Sequence, residues 1–473
     1  MEKEIFANIS PLDHRYYLSY KELFDQLAEY FSENALIKTQ LQVEAALTRV
    51  LARRGICPEG VSREVDEACL SIDPEEVYAE EEKTKHSIRA MVNCIQRRVS
   101  MEARPFVHFT STSMDIVDTA NALRFFRATN EVVLPRVKKL LETLITIARR
   151  EKEVLQMGRT HGQHAVPITF GFAVAEYVSR LGSRYMKIKE AAENLRGKVA
   201  GAVGAYNASS IFFSDPDVFE EEVLTELGIK PSPYSTQIVE PEFLTDYLHA
   251  IVSAYGVLAN LADDFRHLQR TEISEIGEEF VSTQVGSSTM PHKRNPWNFE
   301  HVKSMWKAFM PRMITVYLDQ ISEHQRDLTN SASSRFNPEI VVSFTAAVER
   351  LNRVLSRLRV DEGIMMKNVE MTHEYVIAEP LYILLASFGH PDAHEAVRRL
   401  TLKSQETGKT VRQLITTDRD QVDQEILTYL EKFTQEHWRI LNNPKAYIGL
   451  SVQKTELICA RWEEYLRTHA YAE

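Results

Sequence analysis

Apolar residues recur at intervals of three and four positions over most of the chain. The spacing is most regular over 244–268, where no proline interrupts it, and it is typical of a buried or amphipathic helix. Similar spacing predicts long helices over 135–154, 168–195, 300–323 and 339–358. No segment alternates apolar and polar residues for long, so a large sheet is not expected. The pattern therefore predicts an all-α protein whose long helices pack against each other or against another subunit.

Polar residues gather where the helical spacing is interrupted. Five such segments stand out: 10–17 (SPLDHRYY), 108–115 (HFTSTSMD), 158–167 (GRTHGQHAVP), 232–241 (SPYSTQIVEP) and 283–296 (TQVGSSTMPHKRNP). Loops placed by a rigid scaffold often carry binding residues, so these are the candidate site segments. Breaks in the pattern near 109–113 and after Val360 predict three domains, 1–111, 112–362 and 363–473.

Composition narrows the class of protein. The 473 residues include 56 Lys and Arg against 67 Asp and Glu, and the net charge of −11 argues against a broad nucleic-acid surface. A small anionic substrate needs only a few local cations and remains possible. The four cysteines have no CxxC spacing, which suits a reducing, cytoplasmic setting. We expect no signal peptide and no membrane span, because no apolar run is long enough.

The segment GSSTMPHKRNP, residues 286–296, is the most specific motif in the chain. Taken alone, it could be a polar loop between two helices. A phosphate-binding P-loop is excluded, because His292 stands where a second glycine should precede the lysine. The segment instead resembles the signature loop of the fumarase and aspartase superfamily. That resemblance implies a three-domain, all-α lyase with a central bundle of long helices that forms the core of a tetramer.

Lyases of this superfamily remove a proton beside a carboxylate and expel a nitrogen or oxygen leaving group. The reaction needs a base, an acid, and cations that stabilise a doubly negative intermediate. The resemblance implies that Ser287 is the general base, with Lys293 lowering the cost of forming its alkoxide. It also implies that Lys293 and Asn295 hold the carboxylates of the substrate.

The segment 158–167 contains R-T-H-x-Q, which resembles the superfamily loop that carries the general acid. Without the resemblance, a single histidine is more often a structural residue, and the spacing of His161 and His164 could suggest a metal ligand pair. No third ligand accompanies them, so no metal and no cofactor is expected. The resemblance makes His161 the acid and Glu300 the carboxylate that pairs with it.

Other segments resemble the adenylosuccinate lyase branch of the superfamily. The segment 108–115 has the pattern H-F-x-x-T-S-x-D, and the resemblance places Thr112 and Ser113 at the succinyl carboxylate of the substrate. Without the resemblance, Thr112 would be interpreted simply as a helix N-cap. The remaining substrate contacts implied by the resemblance are Arg15 and Tyr16 in SPLDHRYY, Gln237 in PYSTQIVEP, and Arg326, Ser331 and Arg335 in QRDLTNSASSR. Arginine suits a phosphate because its planar fork donates two parallel hydrogen bonds.

One segment departs from that branch. Where T-x-H-D is usual, the chain has Thr84, Lys85, His86 and Ser87. His86 is still expected to contact the substrate phosphate or assist His161, with different local hydrogen bonds.

The resemblance as a whole implies elimination of fumarate from adenylosuccinate, giving AMP, and from succinyl-aminoimidazole-carboxamide ribotide (SAICAR), giving AICAR. This is carbon–nitrogen lyase chemistry of purine nucleotide biosynthesis. It implies a homotetramer in which different subunits share each active site. Two alternatives stay open: another fumarate-releasing lyase, of the argininosuccinate lyase or carboxymuconate cycloisomerase type, and a non-catalytic scaffold like the crystallins derived from this superfamily.

Overall fold

A computed structural model describes residues 5–279, 289–290 and 292–469. Helices dominate them, which confirms the predicted all-α class. The helices are α1 Arg15–Ser19, α2 Lys21–Phe31, α3 Glu33–Arg53, α4 Glu59–Ser71, α5 Pro74–Thr84, α6 Ser87–Arg98, α7 Ser113–Ala128, α8 Leu134–Arg150, α9 Phe170–Glu193, α10 Pro216–Leu227, α11 Glu242–Leu268, α12 Trp297–Phe309, α13 Arg312–Leu318, α14 Asn337–Leu355, α15 Glu362–Val376, α16 Ala378–Ser387, α17 Ala393–Thr407, α18 Val411–Thr416, α19 Gln424–Leu430, α20 Gln435–Asn442 and α21 Ser451–Thr468.

Among the residues that the structure describes, the strands are short and every sheet has two strands. β1 Leu155–Thr160 pairs antiparallel with β2 Gln163–Thr169. β3 Arg196–Gly197 pairs parallel with β4 Lys230–Pro231. β5 Ile276–Gly277 pairs antiparallel with β6 Arg359–Val360. Each pair ties together segments that lie between helices.

The apolar spacing located most of the long helices to within a few residues, and two details were wrong. The predicted helix over 300–323 is two helices, α12 and α13, because Pro311 has no N–H to continue the first one. The segment 158–167 lies between the predicted helices 135–154 and 168–195, but it belongs to the β1–β2 hairpin, which was not predicted. Its strands are too short for their alternation to stand out in the sequence.

The chain divides into two compact units. The first contains Met1–Lys139, Ser183–Ala259 and Val302–Arg350, and the second contains Leu140–Gly182, Asn260–His301 and Leu351–Glu473. The boundaries fall inside long helices such as α9 and α11. The predicted division into domains 1–111, 112–362 and 363–473 stays a prediction.

The first unit is organised around α3, which packs against α2, α4, α7 and α10. Most of the middle of α3 is buried, including Leu41, Leu47 and Leu51. A π-helical turn, Thr129–Val133, follows α7, and the Thr129 hydroxyl lies 2.6 Å from the Tyr247 hydroxyl of α11. These contacts fix α7, whose first residues belong to a candidate site segment.

In the second unit, α15 packs against both strands of the β1–β2 hairpin, and α21 packs against β2. A separate apolar core joins α16 to α20 and includes Leu381, Leu385, Val411 and Leu414, which are fully buried. In the described part of the chain, no helix is both long and apolar enough to cross a bilayer. All four cysteines are buried and unpaired.

Gly182 and Gly60 provide a matched test of packing in helices. A Cβ at Gly182 of α9 would overlap the buried ring of Trp462, whereas a Cβ at Gly60 of α4 would meet no atom within 4 Å. We expect Gly182→Ala to lower the free energy of unfolding by about 1–3 kcal/mol through overpacking. Gly60→Ala should leave it unchanged or raise it by up to about 1 kcal/mol. Urea unfolding of both variants checks this, and equal effects would contradict the packing described for Gly182.

Candidate active site

The amino end of α7 is built on a fully buried ion pair between Asp115 and Lys198. The Lys198 ammonium donates to the Asp115 carboxylate and to the carbonyl of Gly201 at 3.2 Å. Asp115 also accepts hydrogen bonds from the backbone N–H of Thr112 at 2.8 Å and of Ala200 at 3.1 Å. Thr112 is the N-cap of α7, which confirms the interpretation of this residue as a helix cap. One carboxylate therefore holds the loop before α7 and the loop after Lys198 together.

The loop after Lys198 is held by a second buried carboxylate, that of Glu220. Glu220 accepts hydrogen bonds from the Val199 N–H at 2.6 Å and from the Tyr206 hydroxyl at 2.5 Å. Burial raises the pKa of Glu220. The two hydrogen bonds lower this pKa, but they offset only part of the rise. The same loop approaches the 232–241 segment at Gly204, where φ is +77° and a Cβ would overlap the carbonyl of Ser235. Only glycine allows so close an approach.

His108 opens the segment that leads to Thr112. Its Nδ1 lies 2.6 Å from a carboxylate oxygen of Glu44, which is fully buried in α3. Burial alone would lower the pKa of His108, but the charge and hydrogen bond of Glu44, together with the charge of Asp115, outweigh burial and raise the pKa. His108 and Thr110 both have positive φ, at +61° and +63°. Such strained backbone in residues other than glycine is common at functional sites.

Gln237 and Arg326, two of the predicted substrate contacts, meet in the first unit. The guanidinium Nη1 of Arg326 lies 3.5 Å from the side-chain oxygen of Gln237, and the Gln237 N–H donates to the carbonyl of Gln325 at 3.3 Å. Asp118 of α7 anchors the same loop by accepting from the Val239 N–H at 2.9 Å. The segments 232–241 and 325–335 and the start of α7 are thus linked by direct contacts.

The other predicted residues of this unit lie at accessible positions. Arg15 and Tyr16 begin α1, with Arg15 exposed and Tyr16 half-buried. His86 is exposed and is the N-cap of α6, where its Nδ1 accepts from the Arg89 N–H at 3.2 Å. Ser331 and Arg335 are also exposed. Each of these residues is at least partly exposed to solvent, and the substrate contacts assigned to them stay predictions.

In the second unit, His161 lies at the exposed tip of the β1–β2 hairpin. Thr160 pairs with Gln163, so the turn consists of His161 and Gly162 alone, with φ values of +54° and +73°. Two residues with positive φ define a type I′ turn, which favours Asn-Gly over a histidine. His164, in β2, lies 2.6 Å from the hydroxyl of Thr372 through its Nδ1. The histidine predicted as the acid therefore occupies a position that is unfavourable for its backbone.

The signature loop is described only at its carboxyl end. Ser287, the predicted base, lies outside the described residues. Lys293 is exposed and Asn295 half-buried just before α12, and Glu300, in the first turn of α12, is exposed. Within one copy of the chain, no hydrogen bond or ion pair joins His161 and Glu300 among the described residues.

Sequence reasoning missed Asp118, Lys198 and Glu44, which organise the site without belonging to a recognised motif. Lys198 offered one signal, because a lysine between the apolar and small residues of RGKVAGAVG needs a buried partner. The roles of Asp118 and Glu44 depend on contacts with residues far away in the sequence. Nothing in their own segments distinguishes them from other acidic residues of a helix.

Two family models and several curated proteins match long stretches of this chain. Residues 17–309 match the family model described as Lyase, and residues 322–438 match the adenylosuccinate lyase C-terminal model. An adenylosuccinate lyase from Archaeoglobus fulgidus is 31% identical over 96% of this chain and 98% of its own. The chain belongs to the adenylosuccinate lyase family. An adenylosuccinate lyase from Pyrococcus horikoshii is 32% identical over 97% of this chain and 99% of its own.

Solved structures similar to this member of the adenylosuccinate lyase family support the fold. The 3-carboxy-cis,cis-muconate lactonizing enzyme from Pseudomonas putida has a TM-score of 0.82 and 22% identity, and covers 94% of this chain and 99% of its own. A fumarate lyase from Mesorhizobium sp. BNC1 has a TM-score of 0.79 and 22% identity, and covers 92% of this chain and 97% of its own. At this level of identity the likeness concerns the fold alone.

Asp118 gives the stability of the protein a specific pH dependence. Burial raises the pKa of Asp118 to about 6, against the Val239 hydrogen bond and the charges of Lys198 and Arg326. When the pKa of a carboxyl group is higher in the folded chain than in the unfolded chain, the contribution of that group to the free energy of unfolding is highest at low pH, where the group is protonated in both states. The contribution of Asp118 to the free energy of unfolding therefore falls as the pH rises from about 4 to about 6. Asp118→Asn keeps the acceptor for Val239 and should raise the free energy of unfolding at pH 7.5 by about 1–2 kcal/mol.

Urea unfolding of wild type and Asp118→Asn at pH 4 and pH 7.5 measures this effect. The difference between the two proteins should be small at pH 4 and grow toward pH 7.5, since all other titrating groups are common to both. An Asn variant that is less stable at pH 7.5 would contradict the assignment.

Proposed function

We propose that the chain eliminates fumarate from adenylosuccinate, giving AMP, and from SAICAR, giving AICAR. The observation that carries the proposal is the contact between Gln237 and Arg326, anchored by Asp118 of the helix that begins at Ser113. It links the helix end to which we assign the succinyl carboxylate and the arginine to which we assign the phosphate, which supports a substrate that carries both groups. The similarity over nearly the whole length to adenylosuccinate lyases supports the same substrate.

The proposed reaction is a β-elimination. Ser287 takes the proton from the carbon beside a succinyl carboxylate, the electron pair forms the carbon–carbon double bond of fumarate, and the carbon–nitrogen bond breaks. His161 donates a proton to the departing nitrogen. Lys293 and Asn295 bind the carboxylate on which negative charge builds up, and Glu300 orients His161 and favours its charged form.

We also propose a homotetramer with shared active sites, in the reducing cytoplasm that suits four unpaired cysteines. His161 and Glu300 are both exposed and do not contact each other within one copy, so pairing between copies would satisfy both. Helix α13 and the residues after it carry an unusually apolar exposed face, with Ile314 63%, Leu318 61% and Ile321 73% exposed. Apolar faces of this kind are typical of subunit contacts.

The substrate is tested by incubating the purified protein with adenylosuccinate and, separately, with argininosuccinate, while fumarate is measured. We expect fumarate and AMP from adenylosuccinate, with a rate that EDTA does not change. Fumarate from argininosuccinate alone would overturn the choice of substrate.

His161→Gln tests the acid. Because a positioned acid contributes about a hundredfold or more to the rate, kcat on adenylosuccinate should fall by at least that factor while KM changes little. His164→Gln, three residues along the same hairpin, serves as the control and should retain most of the activity. Full activity of His161→Gln would exclude it as the acid.

Mixing inactive variants tests the shared site. If Ser287 and His161 of one site come from different subunits, Ser287→Ala and His161→Gln proteins that are mixed and allowed to exchange subunits should regain part of the wild-type kcat. Each variant mixed with itself is the control. A single active species with the mass of a monomer in light scattering would contradict the tetramer.

A further inference from the structure

Glu275, outside every motif discussed above, is fully buried and bonded to the strand that leads to His161. Gln156 of β1 donates to one carboxylate oxygen at 2.8 Å. The Arg159 guanidinium donates hydrogen bonds to both oxygens of this carboxylate, at 2.6 and 3.2 Å. Asn368 of α15 adds a fourth bond at 2.9 Å. A bidentate, charge-assisted pair of this kind fixes direction as well as distance.

The hairpin is irregular next to the residues that bind Glu275. A regular strand would point Gln156 and Arg159 to opposite faces, because they are three positions apart. The pairing changes register between Met157 and Arg159, where β2 has one residue more than β1. Gly158 allows this irregularity, since a Cβ there would lie 2.7 Å from the carbonyl of Val166. The bulge increases the local twist of the hairpin between Gln156 and Arg159, and both of these side chains donate hydrogen bonds to Glu275.

Three residues further on, Glu278 holds a different part of the proposed machinery. Its carboxylate accepts from the backbone N–H groups of Asn298 at 3.0 Å and Phe299 at 3.2 Å, and from the Asn298 side chain at 2.7 Å. These N–H groups belong to the first turn of α12, which carries Glu300. A negative charge at this position also interacts favourably with the helix dipole.

The backbone between the two carboxylates is itself fixed. Ile276 and Gly277 form β5 and pair with β6. The N–H of Glu278 donates to the side chain of Gln269 at 3.0 Å, and Gln269 donates in turn to the carbonyl of Arg294 at 3.3 Å. The segment 275–278 thus reaches the His161 hairpin, the start of α12 and the carboxyl end of the signature loop.

We propose that Glu275 is a positioning residue that holds His161 in place for proton transfer. Residues 275–278 form a brace between the hairpin and α12. His161 makes no hydrogen bond of its own within the described part of the chain, so within one copy the hairpin is what positions it. Displacing a catalytic group by about 1 Å can cost about a hundredfold in rate, which makes such a support functionally important. The inference rests on the role proposed above for His161.

The test compares Glu275→Gln in the wild-type and His161→Gln backgrounds. Glutamine keeps the shape but loses the charge that grips Arg159. In the wild-type background, kcat should fall about tenfold or more with little change in KM. In the His161→Gln background, the same substitution should cost less than about twofold, because there is no acid left to position.

Two further variants keep the test decisive. Arg159→Lys keeps the positive charge but not the bidentate fork, and it should show the same dependence on His161 if Glu275→Gln folds poorly. Glu151→Gln is the matched control, because Glu151 is a buried carboxylate of the same unit whose partner is Arg150, at 2.5 Å. It should leave kcat unchanged.

An equal loss of kcat in both backgrounds would overturn the inference, since it would show a general effect of Glu275 on the fold. Full activity of His161→Gln by itself would instead refute the proposed acid. The two failures are therefore distinguishable.

Discussion

The buried pair of Asp115 and Lys198 is the contact on which the arrangement of the first unit depends. Both side chains are fully buried. Desolvating two charges is unfavourable unless their remaining hydrogen-bonding groups are satisfied, and here backbone N–H groups of Thr112, Ala200 and Gly201 complete the shell of Asp115. Leaving either charge without the other would cost about 3–5 kcal/mol. The pair therefore couples the positions of the loop before α7 and the loop after Lys198.

The second unit also uses buried carboxylates to fix its candidate site residues, but the carboxylates are arranged differently. Its buried carboxylates, Glu275 and Glu278, belong to one short extended segment. Glu275 accepts hydrogen bonds from β1, and Glu278 accepts them from the start of α12. In both units, buried carboxylates fix the backbone that presents the candidate residues. Meanwhile His161, Thr110 and His108 have left-handed backbone conformations that cost energy and that tight surroundings must maintain.

Apolar spacing was enough to predict the class and most long helices, because helix packing in this protein follows its amphipathic faces. It failed at the β1–β2 hairpin, whose strands contain Gly158 and Pro167, and at the boundary of α12 and α13, where local backbone chemistry decides. Motifs identified the segments around Thr112, Gln237 and Arg326, which the fold of the first unit links. Asp118 and Glu275 were missed, because their roles depend on partners that folding brings from elsewhere in the chain, and the signal in the segment around Lys198 did not identify its partner.

The burial of all four cysteines has a practical consequence for following motion in this protein. Their thiols are enclosed, and burial raises the pKa of each, so the reactive thiolate forms rarely at neutral pH. A single cysteine introduced at an exposed position of α12 would then be the preferred target for a maleimide fluorophore. The natural sequence thus provides a nearly silent background for spectroscopic observation of α12 during turnover.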